Sequence, residues 1–282
     1  MDARVHTDIQ EFWDLAGPLF LSDPVRHTVA VTVLRRCLAG VEADYRNPVL
    51  VTVHDHTGAV VGATARTPPY GLIVSALPPD TAPAAVEALR QHDPELPGVN
   101  GPRDNAEPFG KAWAAATGKI AYEHKPMRAY RLGELVPPTV AGSPRLGTEA
   151  DLELLVAWRE AFHLEATGRA TTDERAAVLA GLASGAGTYV LWEVHGAPVA
   201  LAHFSGPTAG MSRIGPVYTP EHLRGNGYAS AATAEASRVA LARGATDVVL
   251  FTDLGNEVAN RIYQRIGYRA DYEVVEIDFR EV

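Results

Sequence analysis

The sequence predicts an α+β (mixed α/β) protein in which one arrangement of elements occurs twice. Three observations predict it. The order strand, strand, strand, helix, strand, helix, strand is legible in both halves of the 282-residue chain. A segment rich in Pro and Gly, Gly133 to Pro144, separates the halves near the midpoint. A short, nearly continuous apolar run, Asp247 to Thr252, sits between two helical patterns, as a buried strand does.

The first half opens with a helix over Thr28 to Cys37. Val49 to Val53, the turn H-D-H-T-G, and Val60 to Arg66 read as a hairpin. A strand over Gly71 to Leu77 precedes a helix at Thr81 to Gln91. P-G-V-N-G follows, then a helix over Asn105 to Ala116 and strands near Ile120 and Met127.

In the second half, Leu152, Leu155, Val156, Arg159 and Phe162 recur at helical spacing within Glu149 to His163. Thr171 to Ser184 reads as another helix. Thr188 to Val194, the turn H-G-A-P and Val199 to Phe204 read as a hairpin, and Met211 to Thr219 as the next strand. Ala229 to Arg243 is a helix stopped by Gly244. Asn256 caps a helix over Glu257 to Ile266 that ends at Gly267, and a strand pair or bent strand covers Tyr268 to Phe279. The expected organisation is a domain over 1–136, a linker over 137–144 and a second domain over 145–282.

Composition narrows the function. With 46% hydrophobic and 21% charged residues the chain can bury a core. A net charge of -9 argues against a nucleic-acid partner. The single cysteine, Cys37, allows no internal disulfide and fits a reducing compartment. No signal peptide or membrane-length apolar run is visible, so a cytoplasmic protein without a membrane partner is expected. The excess of Arg over Lys and the abundance of Ala suggest a bacterial source. No Cys/His cluster suggests a metal.

The most informative stretch is V-Y-T-P-E-H-L-R-G-N-G-Y-A, Val217 to Ala229. A strand ends, Pro220 breaks it, and Gly225 and Gly227 lead into an alanine-rich helix. Such a loop leaves backbone N–H groups unpaired at the positive end of a helix, which suits a phosphate or pyrophosphate. Glycine permits close approach of a ligand, and Arg224 adds a positive charge at the loop mouth. In the first half the corresponding place reads P-P-D-T-A-P, where prolines remove donors.

Arg224-Gly225-Asn226-Gly227-Tyr228-Ala229 resembles the R/Q-x-x-G-x-G/A pyrophosphate loop of the GNAT superfamily of acyl-CoA-dependent N-acyltransferases. Asn256, Asn260 and Tyr263, followed by Arg265 to Tyr268, are similar to that family's N-x-x-x-N-x-x-Y tail. The resemblance covers roughly Pro144 to Val282. The first half looks like a degenerate member on element order alone, as in tandem bacterial proteins of this family, mycothiol-synthase-like enzymes included.

The resemblance implies a strongly twisted mixed sheet in which Met211–Thr219 and Asp247–Thr252 splay apart to admit the pantetheine arm of acetyl-CoA. Val217, Tyr218 and Thr219 would pair with its amides. Arg224, Gly225, Asn226, Gly227, Tyr228, Ala229 and Ser230 would hold the pyrophosphate, with Asn256 and Asn260 as further contacts. Asn256 also caps its helix.

Acyl transfer expels a thiolate, and Tyr263 is the candidate to protonate it. The bland alternative is a half-buried tyrosine on an amphipathic helix. Backbone N–H groups of Val217 or Tyr218 would face the thioester carbonyl. Glu165 and His203 are candidate bases, with His163 a weaker one. A solvated glutamate and a hydrogen-bonded core histidine are the alternatives. Cys37 does not read as a nucleophile, so direct transfer is expected. The expected function is acetyl transfer to a small-molecule or peptide amine by a monomer or homodimer. A mycothiol-synthase-like enzyme and a non-catalytic acyl-CoA-binding module are the alternatives. The resemblance implies an acceptor pocket around Phe162 to Thr172 and the strand ends.

Overall fold

In a computed structural model the structure describes residues 1–40, 47–168, 174–184 and 187–281. The chain divides into two compact units, Met1–Arg128 with Tyr272–Val282, and Ala129–Asp271. Both are mixed α/β, with a twisted mixed sheet flanked by helices.

The first unit begins with β1 (Asp2–His6), α1 (Ile9–Ser22) and α2 (Thr28–Ala39). Then come β2 (Val49–His54), β3 (Val60–Arg66), β4 (Leu72–Ala76), α3 (Ala82–His92), β5 (Gly98–Pro102), α4 (Arg103–Thr117) and the start of β6 (Ile120–Leu132). Nothing before Thr28 was expected to be regular. β1 is a short edge strand, and Pro18 inside α1 interrupts the helical signal. Asp8 nevertheless caps α1, accepting from the N–H groups of Gln10 and Glu11 at 2.7 and 2.9 Å. The two strands expected near Ile120 and Met127 form one, β6.

The second unit has the same order: β7 (Ser143–Leu146), α5 (Leu152–Thr167), α6 (Glu174–Ser184), β8 (Gly187–Val194), β9 (Ala197–Ser205), β10 (Met211–Tyr218), α7 (Tyr228–Ala242), β11 (Asp247–Asp253), α8 (Glu257–Arg265) and the start of β12 (Tyr268–Arg280). The expected start of α6 at Thr171 lies outside the described residues.

Within the first unit the strands lie in the order β1-β2-β3-β4-β5-β12-β6, and within the second in the order β6-β11-β10-β9-β8-β7. In each unit one parallel pair stands next to antiparallel ones: β4 with β5, and β10 with β11. Side chains alternate across each sheet as strand geometry requires. On β8, Tyr189 and Leu191 pack beneath α5 and α6. Val190 between them packs on the α7 face with Phe204, Ile214 and Leu250. The buried side of α7 is mostly alanine, which lets the helix lie close to the strands.

The change of unit falls inside β6, between Arg128 and Ala129, and residues 272–282 belong to the first unit. The Pro/Gly segment, expected as a linker over 137–144, lies within the second unit. Pairing rather than composition places it there. The Gly133 N–H donates to the Gly267 carbonyl at 3.0 Å and the Val136 N–H to the Ile266 carbonyl at 3.1 Å. The Ala141 carbonyl accepts from the Trp192 indole at 2.9 Å.

Among the described residues no helix is long and apolar enough to cross a membrane. None of their acidic, histidine and cysteine side chains form a group of three suited to a metal.

Candidate active site

The parallel register of β10 and β11 runs from Met211↔Asp247 to Ile214↔Leu250. Both strands continue beyond it, β10 to Tyr218 and β11 to Asp253. On its other side β10 pairs with β9 through Val217↔Ala202 and Tyr218↔Leu201, with a bulge between Ile214 and Val217. A bulge bends its strand locally, and this one stands where the parallel register stops.

Beyond Tyr218 the chain turns through Pro220 and a short 3-10 turn, Glu221–Leu223, into the glycine loop. Gly225 and Gly227 have φ of +84° and +80°, the left-handed region that glycine enters without steric cost. The N–H groups of Gly225, Asn226, Gly227, Tyr228, Ala229 and Ser230 have no acceptor among the described residues. The first helical bond of α7 is donated by Ala231 to the Gly227 carbonyl at 3.1 Å. Six unpaired donors at a helix N-terminus form a cradle for an anion.

The two glycines have different neighbours. A Cβ built on Gly225 meets nothing within 4 Å, so the approach to its backbone is open. A Cβ on Gly227 would lie 3.0 Å from Val140 Cγ2. Gly227 therefore accommodates the chain's own Val140, a neighbour that the motif does not reveal.

Arg224 donates from Nε to the Thr219 carbonyl at 2.9 Å and from Nη2 to both Glu165 oxygens at 2.8 and 2.7 Å. The sequence nominated Glu165 as a base, and the structure gives it Arg224 of the glycine loop as partner. Both side chains are about half exposed, so water screens the pair. The Tyr218 ring lies between the Arg224 guanidinium and Trp158 of α5, 6.0 Å from each. Burial, then the nearby Glu165, raises the Tyr218 phenol above its ordinary pKa. The Thr219 hydroxyl is buried without a hydrogen-bond partner among the described residues.

His203 of β9 places Nδ1 2.9 Å from the Gly215 carbonyl, at the bulge. A carbonyl only accepts, so Nδ1 carries the hydrogen and Nε2 keeps its lone pair. Its ring lies 4.7 Å from that of Tyr189. Burial lowers the imidazole pKa to about 4, leaving it neutral at pH 7.

Asn256 caps α8, accepting from the Ala259 N–H at 3.0 Å. Asn260 braces the same region. Its amide donates to the carbonyls of Asp253 at 3.0 Å and Asn256 at 2.8 Å, and its Oδ1 accepts from the Tyr130 hydroxyl at 2.7 Å. The Asn260 side-chain amide thus donates twice to backbone carbonyls of its own unit. Tyr263 is half-buried on α8 between the rings of Tyr130 and Tyr268, at 6.4 and 6.1 Å. Burial raises its phenol pKa to about 12, so it stays protonated at neutral pH. The expected acceptor region is described only to Gly168; residues 169–172 lie outside the described residues.

In the first unit the parallel register of β4 and β5 ends at Ile73↔Asn100. The next two carbonyls of β4, Val74 and Ser75, accept from the buried Asn105 amide at 3.0 and 2.8 Å. Pro78 and Pro79 lie in the connection from β4 to α3, whereas in the second unit the connection from β10 to α7 carries the glycines.

Residues 153–268 match the acetyltransferase (GNAT) family model. The matched segment contains the glycine loop, both asparagines and Tyr263. A comparison with curated proteins finds no match. Among solved structures, the chain is similar to a GNAT-family acetyltransferase from Colwellia psychrerythraea, with TM-score 0.64 and 10% identity over 99% of this chain and 100% of that one. A GCN5-related N-acetyltransferase from Sphaerobacter thermophilus gives TM-score 0.63 and 15% identity over 99% and 97%. Another, from Kribbella flavida, gives 0.56 and 20% over 87% and 94%. At these identities the likeness is one of fold.

Proposed function

We propose that the second unit is an N-acetyltransferase that takes acetyl-CoA as substrate and transfers the acetyl group directly to an amine. The observation that carries this reading is the row of unpaired N–H groups from Gly225 to Ser230, beside two parallel strands whose register has stopped. The cradle fits a pyrophosphate, and acetyl-CoA would bring the thioester that reacts. Arg224, held by Glu165 and the Thr219 carbonyl, stands at the loop mouth, where its guanidinium can turn from the carboxylate to a phosphate. Tyr263 keeps its phenolic proton and donates it to the departing thiolate sulfur. Nε2 of His203, unprotonated at neutral pH, is the candidate acceptor for the proton shed by the amine. The reading assigns no role to Cys37, which belongs to the first unit.

The first unit is proposed to be a copy of the same fold that does not bind the coenzyme. Asn105 already occupies the β4 carbonyls, and Pro78 and Pro79 lack the N–H groups of a cradle.

The test is thiol release from acetyl-CoA across a panel of small amines, amino acids, polyamines and peptides, repeated with Tyr263→Phe. The reading expects turnover with at least one amine and a loss in kcat of about 100-fold in the variant, with coenzyme affinity unchanged. Binding with no turnover on any amine would mark a non-catalytic acyl-CoA module instead.

A further inference from the structure

We infer that Tyr130, on the strand that leaves the first unit, is a positioning residue for Tyr263: its hydroxyl fixes α8 and its ring fixes the reacting phenol. The inference rests on the reading of Tyr263 as the acid.

Tyr130 is fully buried. Its hydroxyl donates to Asn260 Oδ1 at 2.7 Å and accepts from Gln264 Nε2 at 3.1 Å. Both partners are on α8, and they flank Tyr263 by three residues and one. One oxygen on a strand therefore holds two points of the helix that carries the acid. The Tyr130 ring also touches Tyr263 directly, tilted at 55° with centroids 6.4 Å apart.

On the other side of Tyr263 stands Tyr268, buried, whose hydroxyl is 2.8 Å from Ser237 Oγ on α7. Tyr263 has two aromatic neighbours, each anchored by its own hydroxyl, while its own hydroxyl meets no acceptor among the described residues. That leaves the phenol oriented by packing alone and its proton unclaimed. An acid catalyst benefits from this arrangement, because small displacements of a reacting group are costly in rate.

β6 itself is pinned one residue further on, where Arg131 donates from Nε to Asp247 Oδ1 of β11 at 2.7 Å. Arg131 does not reach α8, so it separates the two functions of the strand. Loosening β6 through Arg131 leaves the Tyr130 hydroxyl in place. Removing that hydroxyl leaves the Arg131 tie in place.

The experiment compares Tyr130→Phe, Gln264→Leu, Arg131→Ala and Tyr263→Phe in the full chain. It reads kcat, KM for acetyl-CoA, and the titration of the Tyr263 ring by carbon-13 NMR of labelled tyrosine. Tyr130→Phe is expected to lower kcat about tenfold with KM within about twofold. It should also bring the Tyr263 titration down toward the ordinary tyrosine value of about 10, as water reaches the loosened phenol. Gln264→Leu, which removes the longer bond and keeps the ring, should act in the same direction by about threefold. Arg131→Ala should change neither quantity. If Tyr263→Phe lowers kcat while Tyr130→Phe leaves kcat and the titration as in the parent, the inference fails and the acid reading stands. The same holds if Arg131→Ala reproduces the effect of Tyr130→Phe, since general loosening of β6 would then explain it. If Tyr263→Phe is fully active, both fall.

Discussion

His27, buried in the first unit, and His203, partly buried in the second, give the protein a pH dependence. Burial lowers His27 and His203 from 6.5 to about 4. Between those values the unfolded chain binds protons that the folded chain does not. Each histidine therefore contributes stability that is fully present above about pH 6.5 and is lost as the pH falls through about 4. The loss is on the order of 2–3 kcal/mol for each. Thermal unfolding followed from pH 7 to 4 should show a falling midpoint, and His203→Gln should flatten the slope. An unchanged slope would show that His203 is solvated in the native state. At the same scale, Gly225→Val should weaken acetyl-CoA binding at least tenfold, because it forces a β-branched residue into φ +84° and fills the open approach. Calorimetry checks it, and parent affinity in a folded variant would place the coenzyme elsewhere.

The glycine loop and the helix it opens behave as one element with the segment that crosses them. The motif suggested that Gly227 lacks a side chain to admit a ligand. The structure adds Val140, against which a Cβ at 227 would press. Gly227→Ala should therefore weaken coenzyme binding through two separable effects. Backbone strain at φ +80° costs about 1–2 kcal/mol, and the contact with Val140 adds to it. Val140→Ala in the Gly227→Ala background should recover the contact part but not the strain. A double-mutant cycle in coenzyme affinity measures this, and strict additivity would remove Val140 from the account. The end of α5 is joined to the same loop through Glu165 and Arg224. Neither residue's neighbours in the chain signal that contact, since it joins positions 59 residues apart.

For the whole molecule, the chain's last strand completes its first unit. Val275, Ile277 and Phe279 of β12 are buried with Trp113 and Phe109, and Phe279 stacks on Trp113 at 5.7 Å. Phe279→Ala should cost about 3–5 kcal/mol, read as a lower midpoint and a red-shifted tryptophan emission. An unshifted emission with full stability would mean that β12 does not close this core. Coenzyme titration should give one site per chain, because Asn105 occupies the β4 carbonyls of the first unit; two sites would refute that reading. The sequence by itself determined what depends on neighbouring residues. Strand and helix periodicities, the caps at Asn256 and Gly244, and the cluster of unpaired donors after Thr219 all follow from local spacing, so most second-unit elements and the glycine loop were legible. Tertiary structure alone decided where β6 and β12 pair, that Tyr130 reaches α8, that Glu165 meets Arg224, and that segment 133–144 lies within a unit. Those outcomes come from hydrogen bonds and burial between residues far apart in the chain. Such partners are chosen by the closing of a sheet and its cores, and no local pattern of residue types encodes them.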